Sequence, residues 1–402
     1  MFPCCRIKFS NVPMSVDPQT PSYNSLTATA SGLPAVWYFD PGQYAREMAT
    51  LWRKNWLYVA RSEVFVKPGA FRTLTIGDQN YLVVRGPSGS LRGFYNTCRH
   101  RGSLLCEAIE GQLGSSGRIV CPYHQWTYDT EDGVLLRTSS FAEPEGFDKS
   151  LHGLFQVAVV EWRGCVFLHS DFDTPWDADT VFQRPADNFE NFPLETMEVG
   201  YTWRTEMSCN WKTFWENFNE CLHCPAVHPE LTDLVPLYGR RIIHPRDVPD
   251  WADHVQSNDP RYRGGLRDGA ETWSVDGSVQ GQAIQSLTSE ELARGQTYAS
   301  TWPSVFIAGY ADHVRIVSLR PLGPERTELV AEWLFPPETL ADPSYNLENV
   351  VDFGRLVMEQ DAKACELNQR GLHAAPLKAG VLMPEEYLLE RFHNWVRAGL
   401  DL

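Results

Sequence analysis

The chain has 402 residues, more than one domain usually holds, so two domains around a sizeable core are expected. Its 35 Lys and Arg against 51 Asp and Glu give a formal net charge of -16, the wrong sign for a protein that grips duplex nucleic acid. No segment approaches the roughly 20 apolar residues of a membrane span, and ten irregularly spaced cysteines suit thiols or metal ligands in a reducing, cytoplasmic compartment better than a disulfide scaffold.

Residues 1–34, rich in Ser, Thr and Pro and without periodicity, read as an irregular arm. Within 35–56, the stretch "DPGQYAREMATLWRKNWLYVA" predicts a helix: Asp40 is placed as a cap, Pro41 suits the first turn, and Tyr44, Met48, Leu51 and Trp52 share one face expected to pack on the catalytic part of the chain. Over 57–170, short strands broken by Gly and Pro, such as "FRTLTIG", "NYLVVRG" and "GRIVCP", predict a small all-β domain. The remainder, 171–402, opens on a linker with short helical turns. It continues through a strand, a helix, a turn-rich passage over 231–297 and three strands joined as an antiparallel meander, and reaches a long helix from Asn346 to Leu372.

Two loops in the first domain carry chemistry. Cys98-x-His100 and Cys121-x2-His124 each end a predicted strand and each supply one thiolate and one imidazole. Zinc also accepts two Cys and two His, but zinc fingers place Cys with Cys and His with His. Mixed pairs suit a two-iron cluster whose one iron takes both cysteines and the other both histidines, and replacing two thiolates by neutral imidazoles raises its potential. Cys106, between the loops, is expected to be a buried thiol.

A second metal site is expected further on. The helix "NWKTFWENFNECLHC" puts Trp211, Phe214, Trp215, Phe218 and Leu222 on one face, with Glu216, Glu220 and His223 on the other. His223 and His228 are five apart, and Pro225 allows the chain to bend so that both imidazoles face one point. In the last long helix Asp361 falls in the stripe of Val350, Phe353, Val357 and Ala364, where a carboxylate is expensive unless it meets a cation. Two His and one Asp form the facial triad of non-haem Fe(II) oxygenases. Glu359 and Glu366 are the alternative third ligands.

The cluster motif with "CPYHQW", then "NWKTFWENFNECLHCPAVHPEL", then "EQDAKACE", resembles in order the alpha subunits of Rieske-type ring-hydroxylating oxygenases, over roughly residues 36 to 373. The 20 residues between His100 and Cys121 exceed the usual interval, with "EGQLGSSG" the place for the excess. The resemblance implies an α+β chain: a Rieske [2Fe-2S] domain, then a helix-grip catalytic domain in which an antiparallel sheet wraps a long helix. It also implies O2 as co-substrate, electrons from NAD(P)H through a separate flavin or ferredoxin-type reductase, and a homotrimer passing electrons between neighbouring subunits. Glu220 stands where the family usually has Asp, the residue bridging the first iron-binding His to a His of the neighbouring subunit's cluster.

The wording "ENFNECLHCPAVHPEL" is similar to the branch oxidising quaternary ammonium compounds, such as choline, carnitine, glycine betaine and stachydrine. Such a substrate needs aromatic faces, for which Trp251, Trp273 and Trp302 are the candidates. The alternatives are ring hydroxylation or O-demethylation of an aromatic compound and, more remotely, an electron carrier without substrate.

Overall fold

A computed structural model describes residues 22–114, 117–183 and 186–401. The greater part of the arm expected over 1–34 lies outside the described residues. Its end is not irregular: Ala30–Pro34 is a strand that pairs antiparallel with Ala379–Leu382. Asp40 caps the helix Pro41–Glu47 by accepting from the Gln43 amide at 2.7 Å, and a wider turn, Met48–Trp52, continues it and buries Leu51 and Trp52.

The first domain is a seven-stranded antiparallel sheet. Its outermost strand on one side, Leu57–Arg61, lies next to Cys165–His169, so the chain enters and leaves this domain on neighbouring strands. A separate three-stranded sheet, Ile119–Val120, Thr127–Tyr128 and Leu135–Arg137, supports the second cluster loop.

In the second domain five antiparallel strands run in the order Glu198–Met207, Arg326–Phe335, Val314–Gly323, Val305–Gly309, Thr297–Thr301. The meander forms as expected, and the run "TYAST", which begins where the passage read as turns ends, adds a strand to it. The long helix, Leu347–Leu372 with Asn346 at its cap position, lays Val350, Phe353, Val357 and Met358 into the core. A beta-carbon on its Gly354 would come within 2.9 Å of the Trp333 ring, so helix and sheet touch there. This is the α+β, helix-grip arrangement expected.

The helix read across "NWKTFWENFNECLHC" stops early. It spans Trp211–Phe218, and Asn219 ends it with its side-chain amide turned back onto the Trp215 carbonyl at 2.7 Å. Lys212, in its first turn, is fully buried with Glu47 at 2.7 Å, and Glu216 meets Tyr38 and His393, so the face opposite the apolar one is covered rather than solvated. The expectation of free thiols fails at one pair, because Cys221 and Cys224 form a disulfide. Among the described residues no helix is long and apolar enough to cross a membrane.

Candidate functional site: two metal centres and an aromatic cavity

The two cluster loops fold so that sulfur points inward and nitrogen outward. Cys98 and Cys121 are 3% and 1% exposed, whereas His100 is exposed and His124 partly so, their rings 4.7 Å apart. Each loop is a tight turn held by its own backbone: Gly102 N–H donates to the Cys98 carbonyl with Gly102 at φ 79°, and Gln125 N–H donates to the Cys121 carbonyl. Tyr128 hydroxyl lies 3.2 Å from Cys98 Sγ and accepts from the Arg99 amide, and the Trp126 ring stacks on His100 at 4.8 Å. Both cysteines remain free thiols, a buried sulfur pair beneath two outward imidazoles, which fits a cluster bound by two thiolates and two imidazoles. Cys106 is a half-buried thiol whose pKa burial pushes up to about 11.

The second centre depends on where the short helix ends. His223 and His228 bracket one helical turn, Cys224–Val227; Pro225, expected only to bend the chain, starts that turn. The imidazoles stand 5.3 Å apart and face the long helix, where Asp361 Oδ1 is 2.8 Å from His228 Nε2 and 3.5 Å from His223 Nε2. One donor atom from each of the three lies within 4.8 Å of the others, a spacing a single metal ion can span. Glu359 is exposed beside Arg355, and Glu366 accepts from the Ser208 amide; neither joins this group.

Both far nitrogens are held. His223 Nδ1 is 2.5 Å from Glu220 Oε1, whose other oxygen accepts from the Leu222 amide, and His228 Nδ1 is 2.8 Å from Gln360 Oε1. An Nδ1–H engaged with an acceptor leaves Nε2 to a metal, so Glu220 and Gln360 orient the two imidazoles. Gln360 is absent from the sequence reading; its one signal is its place beside Asp361, with its own amide steadied by Glu230 at 3.0 Å.

Burial opposes protonation of His223, but hydrogen bonds to Asp361 and Glu220 outweigh it and raise the pKa to about 9. Burial likewise opposes ionisation of Asp361, and hydrogen bonds from His223 and His228 overcome it and hold the carboxyl below its usual range. A metal must displace the His223 proton. Divalent metal binding by the metal-free mononuclear site is therefore expected to weaken about tenfold for each pH unit lowered below about 9. Calorimetric titration of the apo site with Co(II) between pH 6 and 9 measures this slope.

The triad opens into a cavity of about 740 Å³. Phe214, Phe218, Tyr238, Trp273, Tyr298 and Phe306 supply its aromatic wall, and the turn-rich passage from Leu231 onward closes one side. Of the three candidate tryptophans, Trp273 lines it. Trp302 is instead buried among Trp215, Phe392 and Trp395, and Trp251 lies under the Arg246 guanidinium with its N–H on the Ser22 carbonyl, both away from the cavity lining.

A sulfur-and-imidazole loop pair on a β domain, joined to a triad of two His and one Asp inside a helix-grip domain, defines a Rieske non-haem iron oxygenase. The family models agree. The Rieske [2Fe-2S] domain matches residues 55–144 and the ring hydroxylating alpha subunit (catalytic domain) matches 194–401, so the chain belongs to the alpha subunits of Rieske-type ring-hydroxylating oxygenases. Its relatives include the glycine betaine monooxygenase oxygenase subunit of Chromohalobacter salexigens, 29% identical over 87% of this chain and 81% of that one. Another is the chloroplastic choline monooxygenase of Beta vulgaris, 26% identical over 98% and 82%. A solved quaternary ammonium Rieske monooxygenase, described with carnitine oxidation and inter-subunit electron transfer, superposes with a TM-score of 0.65 at 19% identity, covering 92% of this chain and 96% of that chain.

Proposed function

We propose that this chain is the oxygenase component of a monooxygenase acting on a small quaternary ammonium compound. Cys98, His100, Cys121 and His124 hold the Rieske cluster, and His223, His228 and Asp361 hold the mononuclear iron. The observation that carries the reading is the aromatic wall facing the triad across one cavity. A quaternary nitrogen has no N–H to donate, so it is recognised by ring faces, and desolvation strengthens that attraction. The relatives named above act on such compounds.

When bound, the two iron centres activate O2 and supply electrons for hydroxylation of an N-methyl carbon or a neighbouring carbon. This chain's residues do the rest. Phe214, Phe218 and Phe306 exclude water, while Glu220 and Gln360 fix the two imidazoles in the tautomer a metal requires. Electrons come from NAD(P)H by way of a separate reductase, in the cytoplasm. The assembly is a homotrimer in which each cluster serves the neighbouring subunit's iron, with Glu220 of one chain meeting His124 of the partner subunit.

The test is anaerobic reconstitution with iron followed by a screen of O2 uptake and formaldehyde release over methylated amines and aromatic acids with a surrogate reductase. Uptake coupled to product with methylated amines is expected. Coupled turnover confined to aromatic acids overturns the substrate class, and protein holding a cluster without mononuclear iron points to an electron carrier.

A further inference from the structure

The cavity contains a cation that meets no anionic partner among the described residues. Arg315, the second residue of the Val314–Gly323 strand, is 5% exposed and lines the cavity that opens on the triad. Its Nη2 donates to the Tyr310 hydroxyl at 3.0 Å, which is its one hydrogen bond among the described residues. Nε is buried without an acceptor, and no carboxylate of the described residues lies within the 4.0 Å of an ion pair. The cavity's other two arginines are engaged: Arg263 donates to the carbonyls of Asn258 and Gly264, and Arg294 pairs with Glu290 at 3.5 Å. A buried guanidinium left this way is costly, and an arriving anion removes the cost.

Two neighbours point the same way. Trp273, 3% exposed and packed on Tyr310 at 5.2 Å, also keeps a buried ring N–H without an acceptor. On the long helix, Gly354 admits the guanidinium: a beta-carbon there would come within 2.6 Å of Arg315 Nη1. Glycine is unfavourable in a helix interior, so its presence is explained by the room it leaves. Gly354 precedes Asp361 by two turns, about 10 Å along the axis at 1.5 Å per residue, and Val357 and Met358, between them, also line the cavity.

We infer that Arg315 is the receptor for an anionic group on the substrate, and that the substrate is a short zwitterion carrying a carboxylate at the end opposite its quaternary nitrogen. The inference rests on the proposed function and narrows it. Arg315 takes the carboxylate, with the Trp273 N–H beside it. The aromatic wall takes the trimethylammonium end, and the ion pair aims one N-methyl group at the triad. A quaternary amino alcohol fills the same aromatic wall but leaves Arg315 unpaired.

The test is calorimetric binding to the anaerobic holoenzyme of three matched probes: glycine betaine, choline and 3,3-dimethylbutanoate, which keeps the carboxylate but replaces nitrogen by carbon. Wild-type protein is expected to bind glycine betaine about tenfold or more tightly than choline, the scale of a charge-assisted hydrogen bond. Arg315→Gln brings the two affinities together, Arg315→Lys keeps part of the preference, and Gly354→Ala reduces it by displacing the guanidinium. The wild-type comparison needs no variant to fold. Equal binding of glycine betaine and choline, or a preference that survives in a correctly folded Arg315→Gln, overturns the inference and leaves the proposed function standing. If 3,3-dimethylbutanoate binds as tightly as glycine betaine, or no probe binds, the quaternary ammonium reading itself falls.

Discussion

Asp361→Ala is expected to abolish turnover and remove mononuclear iron while the visible spectrum of the Rieske cluster stays unchanged. The carboxylate is the only anionic member of the three-residue group, and it draws His223 and His228 together at 3.5 and 2.8 Å. Without it two neutral imidazoles remain, a poor site for a hard divalent cation. The cluster loops lie in the other domain, the first after Leu91–Tyr95 of the seven-stranded sheet and the second on the three-stranded sheet, so nothing in the substitution reaches them. Glu359→Ala, at an exposed position, is the control and should retain both iron and activity. Iron counted per chain after desalting, with the visible spectrum and O2 uptake, decides the matter. An Asp361→Ala protein that keeps its iron and its activity would return the third ligand to Glu359 or Glu366.

Glu220→Gln should keep both metals and the assembly but slow oxidation of the reduced cluster by at least about tenfold, the usual scale for losing a residue that orients a metal ligand. Glu220 accepts from His223 Nδ1 with one carboxylate oxygen and from the Leu222 amide with the other. An amide has one acceptor oxygen, so one of those donors would face an NH2 group instead. Glu220→Asp keeps the charge and should recover part of the rate, which a merely structural defect would not show. The partner subunit's His124 completes the proposed bridge. Mixed assemblies test it: chains lacking the cluster through Cys98→Ala, combined with chains lacking iron through His223→Ala, should regain partial activity although both parents are dead. If verified hybrids stay inactive, transfer between subunits is wrong and Glu220 serves His223 alone.

The residues of both candidate metal sites stand out in the sequence because metal binding restricts residue type as well as spacing. Cys98, His100, Cys121 and His124 are close in sequence in pairs, and Asp361 stood out as a charge among apolar neighbours. What the local pattern could not show depends on distant chain segments. Ala30–Pro34 is a strand because Ala379–Leu382 lies beside it, a partner some 350 residues away that no window along the sequence contains. Glu216 is covered by Tyr38 and His393, both more than 170 residues away along the chain. Trp302 and Trp273 are both buried tryptophans preceded by a threonine, and which of them faces a cavity is settled by the passage from 231 to 297, whose turns carry no periodicity. Arg315 sat unnoticed in a strand whose alternation reads as ordinary core.

The neighbouring placement of Leu57–Arg61 and Cys165–His169 makes the cluster-bearing domain an insertion rather than a bead at the front of the chain. The residues before it belong to the other domain: Glu47 neutralises Lys212, Trp37 carbonyl accepts from the same ammonium at 3.0 Å, and Ala30–Pro34 closes on the chain's far end. Arg61, at the far end of the entering strand opposite Cys165, donates to the Leu194 and Met197 carbonyls at 2.7 and 3.0 Å, and so ties the inserted domain to the chain that follows it. The electron-delivering module is thus a cassette joined to the rest of the chain at two neighbouring crossings. A fragment that begins at residue 194 loses Glu47 and the Trp37 carbonyl, the hydrogen-bond partners of the Lys212 ammonium among the described residues.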